Sequence, residues 1–206
     1  MSPRRYASPA RDAMANATRT RLVAAATKLL RKASSGGDVS LEAVAKAAGV
    51  TRLTVYNQFG SRRGLLEAVF DERAREGGLL RLAEAVNDRD PRAALDRVVD
   101  IFCDFWSSDP SVGHLHRIGD PEFLEAIAAR NERRRQVIAA LVGRMEPKFA
   151  DDAERDLIDV LFALTSYAMF GMLIVNGRSV DEVKALIKQT CATALSPLSQ
   201  SETGPG

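Results

Sequence analysis

The sequence predicts an all-α fold of about nine helices. Apolar residues recur at three- and four-residue spacing along nearly the whole chain, and no segment sustains the period-two alternation of a strand. Small polar, glycine and proline signals break the periodic stretches at helix-like intervals. With 46% hydrophobic residues, the 206-residue chain can bury a sizeable core, which excludes wholesale disorder and collagen-like repeats. No solenoid-period repeat is visible.

Residues 1–17, with Pro3, Pro9, Arg4, Arg5 and Arg11, read as a flexible basic arm. Leu22, Ala25, Ala26, Leu29, Leu30 and Ala33 form the face of a first helix stopped by Gly36-Gly37. Ser40 is placed to cap a short second helix with Leu41, Val44, Ala45 and Ala48 inside and Gly49 at its end. Thr51 caps a third, and Ser61 a fourth running through Leu65, Leu66, Val69, Phe70 and Ala74 to the Gly77-Gly78 break. Asp90-Pro91 starts a longer helix with Ala94, Leu95, Val98, Val99, Phe102, Phe105 and Trp106 on one face. Asp120-Pro121 repeats that signal for Leu124, Ile127, Ala128, Ile138, Leu141, Val142 and Met145. A further helix begins near Asp151 and is expected to carry the uncharged run from Val160 to Val175, buried on nearly all sides. At 16 residues that run is short of the roughly 20 that a spanning helix requires. Val183, Leu186, Ile187, Thr190, Cys191 and Ala194 mark the last helix, and residues 199–206 read as a flexible tail.

The net charge of +2 conceals a polarised chain. Residues 1–63 hold twelve basic and three acidic side chains, a net of +9, so the remainder carries −7. The basic end suits a polyanion and the acidic end does not. Cys103 and Cys191 lie far apart, without the spacing of a zinc or redox site, and fit a reduced, cytoplasmic setting. The N-terminus has no apolar run of the signal-peptide kind.

The segment from Leu41 to Phe59, LEAVAKAAGVTRLTVYNQF, carries the most specific pattern. Two helices that cross steeply over a tight turn need a small residue where their backbones approach, a glycine where φ turns positive and apolar residues that lock the pair. Ala45, Gly49 and the set Val44, Ala48, Val50 and Val55 supply these, which is a helix-turn-helix signature. If Val55 and Phe59 face inward, Arg52, Leu53, Tyr56 and Asn57 face outward on a helix short enough for the major groove. There Arg52 would donate two hydrogen bonds to a guanine, Leu53 would press on a thymine methyl and Asn57 would contact an adenine or a phosphate. Thr54, Tyr56 and Arg62, with the N-termini capped by Ser40 and Thr51, would hold phosphates. Arg4, Arg5 and Arg11 are either minor-groove contacts or a solubilising tail.

Residues 18–75, with VSLEAVAKAAGV followed by TRLTVYNQFGSRRGLLEAVF, resemble the N-terminal DNA-binding domain of TetR-type transcriptional regulators. The resemblance covers the threonine or serine cap, the Ala-Gly-Val turn, the Thr-x-Tyr-x-x-Phe recognition helix and the following Leu-Leu, and it supports phosphate roles for Thr54 and Tyr56. Two positions depart from the pattern. Arg62 stands where lysine is usual and keeps the charge. Gly64 stands where an acidic helix former is common, which on its own lowers the fourth helix's stability by about 1 kcal/mol.

The expected division is therefore a DNA-binding domain over 18–63 and a larger helical effector-binding and dimerisation domain over 64–198. The family uses its last two helices to pair with a symmetry mate, which implies a homodimer through Met172, Val175, Val183, Leu186, Ile187 and Cys191, with Gly171 allowing close approach. A two-fold dimer would read two half-sites of a palindromic double-stranded DNA operator. The resemblance also implies a cavity for a small hydrophobic or aromatic effector, whose candidate lining is Phe102, Phe105, Trp106, His114, Phe123, Phe162, Tyr167 and Phe170. By linkage such an effector binds the free dimer more tightly than the DNA-bound one. An effector-independent DNA-binding dimer, acting by occupancy or with a protein partner, is the alternative. No nucleophile elbow, phosphate-binding glycine loop or metal pattern is present, so neither catalysis, nor a cofactor, nor a membrane is expected. His114 and His116, two apart, point different ways on a helix and read as a polar group near the pocket or as structural residues. Arg133-Arg134-Arg135 reads as a solvated face or as ion pairs with acidic neighbours.

Overall fold

The computed structural model describes residues 9–33, 39–117 and 121–196. Among them are eleven α-helices, a 3-10 turn over Leu79–Arg81 and no strand. The helices are α1 (Pro9–Leu30), α2 (Leu41–Ala48), α3 (Arg52–Phe59), α4 (Arg62–Glu76), α5 (Leu82–Val86), α6 (Pro91–Ser108), α7 (Pro110–Arg117), α8 (Pro121–Val142), α9 (Asp151–Leu164), α10 (Tyr167–Val175) and α11 (Val180–Ala194). The chain forms two compact units, one of residues 1–77 and 108–129, the other of 78–107 and 130–206.

In the first unit, α1 packs with α2, α4 and α7, α2 with α3, and α4 with α3 and α7. Leu22, Ala26 and Leu30 of α1, Val44 of α2, Val55 of α3 and Leu65, Leu66 and Val69 of α4 are sealed from solvent together with Val112 of α7. Burying such aliphatic side chains is the main force holding the bundle, at about 1.5–3 kcal/mol each. Helix α1 starts at Pro9, so helical backbone reaches into the 1–17 segment expected as an arm. Arg4, Arg5, Gly36-Gly37, Asp120 and the 199–206 tail lie outside the described residues.

In the second unit, α9 and α10 pack with each other and with α11. Its core includes Leu95 and Val98 of α6, Ile138 and Leu141 of α8, Leu161 of α9 and Val183 and Ile187 of α11. The uncharged run is not one helix. Helix α9 ends at Leu164, Ser166 caps α10 by accepting from the Met169 amide at 3.2 Å, and the two axes bend by 49°. The Thr165 hydroxyl donates back to the Leu161 carbonyl at 3.0 Å, and the bend removes the uniform burial expected for that stretch. Met172 and Val175, at 60% and 84% exposed, stand in solvent on this chain. Among the described residues no single helix is long and apolar enough to cross a membrane. Besides α10, split from the uncharged run, the helices without a counterpart in the sequence reading are α5 and α7, which are short and lack the long periodic stripe by which a helix is found in sequence.

Candidate nucleic-acid interface and effector region

Local chemistry builds the helix-turn-helix pair as its sequence implies. The Ser40 hydroxyl accepts from the Ala43 amide at 3.1 Å, and Gly49, at φ 66°, closes α2 with its N–H directed at the Ala45 and Lys46 carbonyls. A side chain at that φ would be strained, which is why the turn carries glycine. Thr51 then caps α3, accepting from the Thr54 amide at 3.2 Å, while the two threonine hydroxyls lie 2.9 Å apart. Thr54 is thereby held at the helix start, and the pair fixes the axis of α3.

Val55 is fully buried beneath α3, and Arg52, Leu53, Tyr56 and Asn57 are exposed. Leu53 and Tyr56, at 65% and 53% exposed, are large side chains presented to water with no protein packing to justify them. Arg62 lies at the start of α4 and donates from Nε to the Val39 carbonyl at 2.9 Å, so its guanidinium is tied beside the Ser40 cap. These contacts bring Ser40 and Arg62 together at one end of α2.

Arg19 has no place in the motif, yet it holds α3. Its Nη1 donates to the Gln58 carbonyl at 3.1 Å and its guanidinium lies 4.6 Å from the centre of the Phe59 ring. A cation at the C-terminal end of a helix offsets the negative pole of the helix dipole. A single arginine 39 positions upstream gives no local sequence signal for that role.

Of the candidate effector residues, Phe102, Phe105, Trp106, Phe162, Tyr167 and Phe170 belong to the second unit. Trp106 is their hub: its ring centre lies 4.7 Å from that of Phe105, 5.7 Å from Phe102 in a stacked pair and 5.7 Å from Tyr167 edge-on. The Trp106 indole N–H donates to the Thr165 carbonyl at 3.2 Å. His114 and Phe123 belong to the first unit, where Phe123 is fully buried. The Nδ1 atoms of His114 and His116 lie 2.9 and 3.0 Å from the Pro110 and Val112 carbonyls, one turn earlier in α7. A carbonyl only accepts, so each Nδ1 carries the proton.

One member of the arginine run departs from expectation. Arg135 pairs with Asp159 as a surface residue would. Arg134 is instead 5% exposed, and its Nη1 donates to the Phe162 carbonyl and to the Thr165 hydroxyl, both at 3.1 Å. Burial lowers its pKa to about 10. At the interface candidates, Val183, Ile187 and Cys191 face the core of their own protomer, at 0%, 2% and 1% exposed, while Leu186 is half-buried. Burial pushes the Cys103 and Cys191 thiols up to about 12 and about 11, so both stay protonated and unreactive near neutral pH.

Residues 22–69 match the family model for bacterial regulatory proteins of the tetR family. The HTH-type transcriptional regulator AlkX of Mycobacterium tuberculosis is 31% identical over 125 residues, covering 55% of this chain and 53% of that protein. The match thus spans about half the length of that curated relative. Among solved structures, NalD of Pseudomonas aeruginosa, described as the secondary repressor of the MexAB-OprM multidrug efflux pump, superposes with a TM-score of 0.66 at 21% identity. That superposition covers 88% of this chain and 96% of NalD. A TetR/AcrR-family regulator of Thermobifida fusca superposes with a TM-score of 0.64 at 19% identity, covering 86% of this chain and 98% of that one. At these identities the structural matches establish the fold.

Proposed function

We propose, because residues 22–69 match the family model for bacterial regulatory proteins of the tetR family, that this chain is a repressor that binds a palindromic operator as a homodimer and is released by a small apolar effector. The exposed set on α3 carries the reading. Arg52, Leu53, Tyr56 and Asn57 project from a two-turn helix whose start is fixed by Thr51 and whose end is fixed by Arg19. Arg52 and Leu53 read base edges, and Tyr56, Thr54 and Arg62, with the N-termini at Ser40 and Thr51, hold phosphates and fix register. Phosphate contacts set affinity for any sequence, whereas base contacts set preference among sequences.

Selection of a site from a random duplex pool, followed by competition binding, tests the assignment. Arg52→Ala should reduce discrimination between operator and mismatched sites by about 1–3 kcal/mol, while Tyr56→Phe should weaken binding to all duplexes more evenly. The opposite pattern would reverse the groove assignment. The effector reading rests on the aromatic cluster around Trp106. A thermal-shift screen of apolar compounds, followed by release from the selected operator, separates it from an effector-independent dimer, for which no compound would both bind and release.

A further inference from the structure

We propose that Arg134 anchors an anion site within the aromatic cluster of the second unit, and that its ligand is an organic carboxylate with an apolar body. The inference rests on the effector reading above and specifies the chemistry of that effector.

Arg134 is a cation only 5% exposed, and among the described residues every acceptor it meets is neutral. Nη1 serves the Phe162 carbonyl and the Thr165 hydroxyl, and Nη2 reaches only the Asn131 side-chain oxygen, at 3.4 Å. Nε is buried without an acceptor. Among the described residues no carboxylate pairs with it, although buried arginines are ordinarily paired. A chain needing only a cap for the end of α9 would satisfy the Phe162 carbonyl with a neutral donor and avoid the desolvation of a charge. The guanidinium sits at the C-terminal end of α9, whose negative pole offsets part of its charge but supplies no full counter-charge.

The geometry selects a carboxylate. Because Nη1 is occupied, the edge left over is that of Nε and Nη2, the fork whose two parallel N–H groups match two carboxylate oxygens. Nε is covered by protein atoms but has no acceptor, and Nη2 is bound only at long range, so a carboxylate that moves the covering side chains aside gains both donors and gives up one weak hydrogen bond. Apolar surface surrounds the fork. The guanidinium lies 4.2 Å from the centre of the Phe162 ring and 5.6 Å from that of Phe102, and Phe102 stacks on Trp106. A carboxylate on an alkyl or aryl body would place its charge on Arg134 and its body against these rings.

Trp106 is the chain's single tryptophan and reports on the cluster directly. Its fluorescence in the full-length protein should be titrated with decanoate and decanol, and with 2-naphthoate and 2-naphthalenemethanol, so that acid is compared with matched alcohol on an alkyl and on an aryl body. The wild type should bind at least one acid about tenfold or more tightly than its alcohol, as expected of a charge-assisted bidentate pair. Arg134→Gln should abolish that preference, and Arg134→Lys, which keeps the charge and loses the fork, should keep only part of it. Thermal melts of both variants establish that they are folded, and the wild-type comparison stands without them. Equal affinity of acid and alcohol for the wild type, or a preference that survives in Arg134→Gln, overturns the anion site and leaves the effector reading intact. An acid preference that depends on Arg134 without release of operator DNA supports the anion site and counts against the effector reading.

Discussion

Gly64 is the residue whose meaning changes most once its neighbours are known. In a helix interior glycine costs about 1 kcal/mol relative to alanine, and by that rule Gly64→Ala should stabilise α4. A Cβ at Gly64, however, would lie 2.2 Å from the Phe59 carbonyl oxygen, a backbone atom that cannot swing aside. Glycine here lets the start of α4 pass close under the end of α3, and the Ser61 hydroxyl accepts from the Gly64 amide at 3.0 Å to tighten the turn. Gly64→Ala is therefore expected to destabilise the protein by about 1–3 kcal/mol in denaturant unfolding, as overpacking does, and to weaken operator binding. A more stable alanine variant would show that the turn relaxes freely. The caps at Ser40, Thr51 and Ser61 were legible in the sequence because each depends on residues within four positions. Gly64 and Arg19 were not, because their partners lie across a turn or on another helix.

Among the elements, α7 is held by an N-terminal aspartate that does more than cap it. Asp109 Oδ1 accepts from the Ser111 amide at 2.8 Å, and Arg31 Nε, at the end of α1, donates to both carboxylate oxygens at 3.1 and 3.0 Å. Arg73 of α4 lies 3.6 Å from the same carboxylate. Burial opposes ionisation of Asp109, but the hydrogen bonds from Arg31 and Ser111 and the Arg31 charge outweigh it, leaving the carboxyl well below the usual range. A carboxyl depressed by folding contributes stability at neutral pH that is lost as pH falls through its folded-state value. Asp109→Asn should thus cost about 2 kcal/mol at pH 7, and the gap from wild type should close as pH drops below the ordinary carboxylate range of about 4. An unchanging gap down to pH 2 would remove Asp109 as its source. The break between α9 and α10 belongs to the same scale. Composition showed an uncharged run, but the end of one helix and the cap of the next became readable only through Thr165 and Ser166.

For the whole molecule, the proposed dimer separates two groups of residues that looked alike in the sequence. Met172 and Val175 are exposed on the protomer, whereas Val183, Ile187 and Cys191 are committed to its core. Met172→Glu should leave a folded chain that light scattering reads as monomer and that binds operator poorly, since one reading head covers too few base pairs. Ile187→Asp should instead lower the melting temperature of the protomer itself, because it buries an unpaired charge. A dimeric Met172→Glu protein would move the interface elsewhere. The helical class, the helix-turn-helix, its caps, its outward-facing residues and the separation of a +9 end from a −7 remainder all follow from spacing and composition along the chain. Which arginine of three is buried and which face of α11 serves the core depend on atoms brought close from distant positions in the chain, and why a glycine begins α4 depends on the close approach of the Phe59 carbonyl across a turn.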